Sequence, residues 1–123
     1  MTVLRKGTDS DASTKQHDWG TLQFVAGTSV NGTKNVSAAR VTINARTANT
    51  RHSHPTCEEV LYLLKGKLKH YVGDDAYDMS AGDCIAIPAG VPHYAINTGT
   101  ETADMLVMYS AGERDFRVEK QPE

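Results

Sequence analysis

Two imidazoles and a carboxylate fall within eight positions of this chain, in the run Arg51-His52-Ser53-His54-Pro55-Thr56-Cys57-Glu58-Glu59. Residues two apart on an extended strand point to the same face, so His52 and His54 share one. Pro55 removes a backbone donor and bends the chain. Glu59 opens the apolar run Val60-Leu61-Tyr62-Leu63-Leu64 and can return to the same pocket. Two histidines and one carboxylate are the ligand set of an open divalent metal site. A fourth ligand has to come from elsewhere, and His93 is the candidate. Glu58 competes with Glu59 for the carboxylate role, and because adjacent strand residues face opposite ways only one of them should point inward.

The elements that must position these residues are strands. Thr21-Leu22-Gln23-Phe24-Val25 reads as a strand, and Gly27 to Thr33 as a turn or loop. Residues 35–45 alternate, with Val41, Ile43 and Ala45 on one face and Arg40, Thr42 and Asn44 on the other. Further strands are predicted at 60–64, 68–72, 77–79, 84–87, 93–97 and 103–109. Lys65-Gly66-Lys67, Gly73-Asp74-Asp75, Ser80 to Asp83, Pro88-Ala89-Gly90 and Thr98 to Glu101 supply the turns. The run Cys84-Ile85-Ala86-Ile87 reads as a buried strand. Short strands at regular spacing without a helical period indicate an all-β sandwich or barrel. Residues 1–16 are polar and read as a flexible arm or edge segment, residues 17–118 as one domain, and 119–123 as a tail.

At 123 residues the chain suits one domain with one modest core. Its 13 Lys+Arg against 15 Asp+Glu give a net charge of -2, which argues against nucleic acid as a partner. No apolar run approaches a membrane span, and the N-terminal residues lack the apolar segment of a secretory signal. A cytoplasmic location is the default expectation. Cys57 and Cys84 are too few for a disulfide framework and are expected as reduced thiols.

The segment from Gly82 to Asn97 completes the pattern. Here the chain resembles the cupin superfamily, whose first motif is G-x5-H-x-H-x3,4-E-x6-G and whose second is G-x5-P-x-G-x2-H-x3-N. The first is met by His52, His54, Glu59 and Gly66, with Arg46 where the leading glycine stands. The second is met by Gly82, Pro88, Gly90, His93 and Asn97. The resemblance implies a double-stranded β-helix, a jelly-roll barrel, with a metal inside it held by His52, His54, Glu59 and His93. The spacing to Gly66 favours Glu59 over Glu58.

Such a ligand set suits Mn(II), Fe(II), Co(II), Ni(II) or Zn(II). It leaves one or two positions open for a chelating ligand, O2 or water. Leu61, Leu63, Ile85, Ile87 and Ala95 should share faces with the ligands and describe a mostly apolar pocket. Tyr62, Tyr71, Tyr94, Met105 and Met108 are pocket walls or, as is usual for such residues, core. Arg40 or Arg46 is a candidate to hold a substrate carboxylate, against the ordinary role of a solvated arginine. Asn97 is either a ligand contact or a turn stabiliser. Cys57, His17 and His70 are read as bystanders, and Trp19 as a packing anchor. No base is placed by motif apart from the ligands, so proton transfer would rest on Glu59, on Tyr94 or on water at the metal.

Three functions fit. The first is a metal-dependent oxygenase on a dicarbonyl or polyphenol. The second is a redox-neutral isomerase, lyase or decarboxylase on a sugar or small acid. The third is a non-enzymatic small-ligand binder. The enzyme readings lead, oxygenase slightly first. The expected partners are a small molecule and a second copy of the chain, because a homodimer would cover exposed strand edges.

Overall fold

The computed structural model describes residues 14–120. Residues 1–13 of the expected arm and 121–123 of the expected tail lie outside them. The strands are β1 Lys15–His17, β2 Gly20–Ala26, β3 Ser37–Ile43, β4 His52–Ser53, β5 Glu59–Lys65, β6 Lys67–Val72, β7 Asp75–Ser80, β8 Cys84–Ile87, β9 His93–Asn97, β10 Ala103–Tyr109 and β11 Arg117–Val118. A single helical turn, α1, spans Thr28–Asn31 and is closed by Gly32 at φ 82. It falls in the expected loop, and four residues are too few to present a helical period.

Two antiparallel sheets face each other, ordered β1-β2-β3-β10-β5-β8 and β11-β4-β9-β6-β7. This is the all-β jelly roll expected from the sequence. Alternation along the strands sets it. Ala39, Val41 and Ile43 on β3, Leu61 and Leu63 on β5, and Ala103, Met105, Val107 and Tyr109 on β10 are buried. The register places Val107 opposite both Ala39 and Leu61, so the inward residues of three strands form one wall. Burying a large apolar side chain of this kind is worth roughly 1.5–3 kcal/mol. Leu68 and Met79 from the other sheet close the core. Among the described residues, no helix is long and apolar enough to cross a membrane.

The run Cys84-Ile85-Ala86-Ile87 differs from its expected burial. β8 is the outer strand of its sheet, so Cys84 and Ala86 are exposed while Ile87 is buried against the core. Four consecutive apolar residues hide a period of two.

Two residues of the motif act on the backbone. Gly66 joins β5 to β6 across the sheets at φ 94, and a Cβ there would lie 3.0 Å from Ala103 Cα. Asn97 is fully buried. Its Nδ2 donates to Ile43 O at 2.9 Å and Glu101 O at 2.7 Å, and its Oδ1 accepts from Gly99 N at 2.9 Å. Its side chain therefore ties the β9–β10 turn to β3 and stabilises the turn. Asn97→Ala leaves two carbonyls and an amide without these partners and should destabilise the fold by about 2–4 kcal/mol. A fall in the urea midpoint at unchanged m-value would report it.

Arg46 stands where the first motif has glycine, and it adopts the left-handed backbone at φ 58. An L-residue pays about 1–2 kcal/mol for that conformation, against the extra backbone entropy glycine loses on folding. Arg46→Gly should therefore stabilise the protein by about 0.5–1 kcal/mol, read as a rise in the urea midpoint.

Candidate metal centre

The site forms where the two sheets meet at one end. β4 pairs with β9 so that His52 lies opposite His93. His54 follows β4 at the bend before Pro55, and Glu59 starts β5 on the facing sheet. All four residues are buried, and one ligand atom from each lies within 4.8 Å of the others. His54 Nε2 and His93 Nε2 stand 3.0 and 3.1 Å from Glu59 Oε1.

The outer nitrogen of each imidazole is fixed by a backbone carbonyl. His52 Nδ1 donates to Thr50 O at 2.6 Å, His54 Nδ1 to Asp115 O at 2.7 Å and His93 Nδ1 to Val91 O at 2.9 Å. A carbonyl only accepts, so the proton sits on Nδ1 in each ring. In the neutral tautomer the Nε2 lone pairs of His54 and His93 then face Glu59 Oε1, acceptor against acceptor, and His93 Nε2 makes its 3.1 Å hydrogen bond to that oxygen only when its ring carries a second proton. His54 Nε2 has no hydrogen bond despite its closeness to Glu59.

The electrostatics follow from the same packing. Burial, reinforced by neighbouring His93, pushes His52 down to about 3, so its ring stays neutral. Burial alone would raise the Glu59 carboxyl, but the His54 and His93 rings outweigh it and hold it well below the usual carboxylate range. Burial would lower His93, and the Glu59 carboxylate reverses that, raising it. An ionised, buried carboxylate among three imidazole nitrogens is the environment of a cation. The set could hold a divalent transition metal.

Of the two adjacent carboxylates, Glu59 is buried and Glu58 exposed. Glu58 instead joins the Ser110 turn, where its amide donates to Ser110 Oγ at 2.9 Å. Tyr94 is not brought to the site. It is next to His93 on β9, so period two turns it to the opposite face, where it stacks on Tyr71 with centroids 4.8 Å apart. Arg40 is on the outer surface, forked onto Asp104 through Nε at 2.8 Å and Nη2 at 2.6 Å. Cys57 is buried and Cys84 exposed, both as free thiols. Cys57 forms a second cluster with His54 and Asp115. There the Asp115 carboxylate accepts from Thr56 N and Oγ1, both at 2.9 Å, and from Cys57 Sγ at 3.7 Å. These bonds lock the histidine loop to the segment after β10.

A cavity of about 230 Å³ opens beside the ligands. Its wall is mostly apolar, with Trp19, Leu22, Val41, Leu61, Ala95, Met105 and Val107, and Phe116 and Val118 at its side. Exposed His17 stacks on Trp19 at 4.7 Å, and both residues line the cavity. A more open groove of about 730 Å³ lies along β7 and β8. No converging set of metal ligands is found there among the described residues.

Two cavity residues escaped the sequence reading. His70 on β6 lies opposite Ala95 of β9, facing inward one pair deeper than His93. It is 2% exposed, and neither ring nitrogen has a hydrogen-bond partner among the described residues. Burial lowers it to about 4, so the ring is neutral. The second is Arg114, from the segment between β10 and β11. For His70 the available signal was parity with buried Leu68 on the same strand. For Arg114 no sequence pattern existed.

Fold and side-chain cluster together define a jelly-roll protein in which three histidines and one carboxylate converge and could hold a metal. The chain belongs to the cupin superfamily, and the family model for the cupin domain matches residues 39–109. It is 30% identical over 83 residues to putative germin-like protein 9-2 of Oryza sativa subsp. japonica, covering 63% of this chain and 39% of that protein. Among solved structures it resembles an oxalate decarboxylase of Bacillus subtilis with Mn(II) centres, with a TM-score of 0.79 and 22% identity, over 86% of this chain and 29% of that one. A formate complex of Lactobacillus farciminis oxalate decarboxylase gives a TM-score of 0.79 and 24% identity, over 85% of this chain and 32% of that one. These structural likenesses express a shared fold.

Proposed function

We propose that the chain is a small metal-dependent enzyme. It holds one divalent transition metal on His52, His54, Glu59 and His93 and acts on a compact organic molecule in the adjoining cavity. The observation that carries this reading is the meeting of three imidazoles, each fixed by a carbonyl on its outer nitrogen, with one buried carboxylate. When bound, the cation supplies Lewis-acid polarisation of a carbonyl or a site for O2.

The chain's own residues do the rest. The carbonyls of Thr50, Asp115 and Val91 hold the ring tautomers. The buried part of the wall, with Leu61, Ala95, Met105 and Val107, offers a bound molecule apolar contact. Neutral His70 offers a bound molecule one N–H and one lone pair, and so can hold a proton at either ring nitrogen. It takes the place in proton transfer that the sequence reading gave to Tyr94. At ~30 Å³ per water-sized group the cavity suits a ligand of about eight heavy atoms. That supports a small dicarbonyl or acid over a multi-ring polyphenol.

O2-dependent cleavage leads because the wall is apolar and, among the described residues, Arg114 is the one Arg, Lys or Gln lining it. The redox-neutral reading, a decarboxylase or lyase on a small acid, is supported by that same Arg114. Fe(II)-loaded protein given acetylacetone or oxalate in an oxygen electrode separates them. O2 uptake with product supports the first, and product under anaerobic conditions with Mn(II) supports the second. Ligand-induced stabilisation without product under either condition would leave a binding protein instead. The same reading includes a homodimer covering exposed strand edges, and a monomer by light scattering at high concentration would remove it.

A further inference from the structure

We infer that Arg114 selects the ligand of this site, and that the ligand is a small organic acid whose carboxylate lies on the Arg114 guanidinium. This rests on the metal-site reading above.

Arg114 is placed across the cavity by its neighbours in sequence. The Asp115 carbonyl takes His54 Nδ1, and its carboxylate takes Thr56 and Cys57. Phe116 stacks on His52 with centroids 4.8 Å apart. Just beyond, Val118 of β11 pairs with His52 of β4. The guanidinium carbon then lies 5.0 Å from the Phe116 ring and 5.2 Å from the rings of Tyr109 and Phe24. Nη1 donates to the Tyr109 hydroxyl at 3.3 Å.

The other arginines with defined ion pairs have spent theirs at the surface. Arg40 is forked onto Asp104, and Arg117 is 3.2 Å from Glu119. Among the described residues Arg114 has no carboxylate partner. A guanidinium carries five N–H donors, and the Tyr109 hydroxyl takes one. The three rings hold the plane in one orientation by cation–π contact and supply no acceptor of comparable strength. An oriented, partly unspent fork on a cavity wall matches a carboxylate bidentately.

Charge points the same way. Among the described residues Glu59 is the sole carboxylate lining the cavity. A divalent cation together with Arg114 outweighs it and leaves a positive pocket, which favours an anion over a neutral molecule of equal size. The site thus reads a molecule with an oxygen for the metal and a carboxylate beside it, such as a 2-oxo or 2-hydroxy acid.

The test uses a matched pair of probes, pyruvate and the neutral dicarbonyl 2,3-butanedione, titrated against Co(II)-loaded protein and followed by its visible absorption. Wild type should bind pyruvate at least tenfold more tightly than butanedione. Arg114→Gln should weaken pyruvate about 10- to 100-fold while butanedione affinity and metal stoichiometry stay unchanged. Arg114→Lys, which keeps the charge without the fork, should fall between. Equal pyruvate affinity in wild type and either variant, with metal retained, overturns the inference alone. Loss of metal from both variants makes Arg114 a support for the metal ligands and overturns it as well. A wild-type protein that takes up no Co(II) removes the metal-site reading, and this inference with it.

Discussion

Glu59→Gln is expected to empty the metal site, taking the metal content from one equivalent per chain to below a tenth. Glu59 is the one carboxylate among the four converging side chains, and its charge faces two imidazole nitrogens at 3.0 and 3.1 Å. Glutamine keeps the shape but loses the charge, and its amide N–H can hydrogen-bond an imidazole Nε2 lone pair that the cation would need. Changes to residues that only orient a ligand typically cost 10–100-fold in metal affinity. Losing a charged ligand should exceed about 100-fold. Glu58→Gln is the matched control, with the same chemistry one residue away on the exposed face, and it should retain full occupancy. Elemental analysis of protein purified in parallel decides it. Loss of metal from the Glu58 variant and retention by the Glu59 variant would mean that the carboxylate had been assigned to the wrong strand face.

That Glu59 rather than Glu58 turns inward was legible in the sequence, because period two and the spacing to Gly66 agree. The same holds for most of the strands. β9 and β10 occupy the residues expected of them, since their turns carry Pro, Gly and Asn signals at both ends. What escaped the sequence was set by partners far along the chain. His70 reads as one polar residue on an alternating strand. Only the pairing of β6 with β9 places it under His93. Parity alone could have excluded Tyr94, as the neighbour of an inward His93.

The region after Gly112 shows the limit most clearly. Its charged, aperiodic residues predict no strand. Yet Asp115, Phe116 and Val118 all bind back onto the histidine loop. No local rule for strands or turns encodes a carbonyl waiting for an imidazole 61 residues earlier. The consequence is functional. The segment that fixes the tautomer of His54 also carries Arg114, so ligand geometry at the metal and charge at the cavity are held by one stretch of chain.

Divalent metal should raise the melting temperature by roughly 10–20 °C, and His52→Ala should abolish the rise. The unfolded chain has no preformed site, so binding energy becomes folding energy. At a free-metal concentration 1,000 times Kd, linkage supplies about 4.1 kcal/mol. For a chain of this length each kcal/mol moves the midpoint by a few degrees. The gain has a structural source. Without a cation, three nitrogens and a buried carboxylate face one another with one hydrogen bond between them, His93 to Glu59. A cation replaces that confrontation with attraction at every vertex. His52→Ala removes one vertex and leaves the Glu59–His93 contact in place, so the apo variant should still fold and serve as its own reference. Thermal melts with Mn(II), Co(II), Ni(II) and Zn(II), each against a chelator control, give the comparison. An equal rise in the variant would put the stabilising ion somewhere other than these four residues. No rise in wild type with any of the four ions would count against a metal at this end of the barrel.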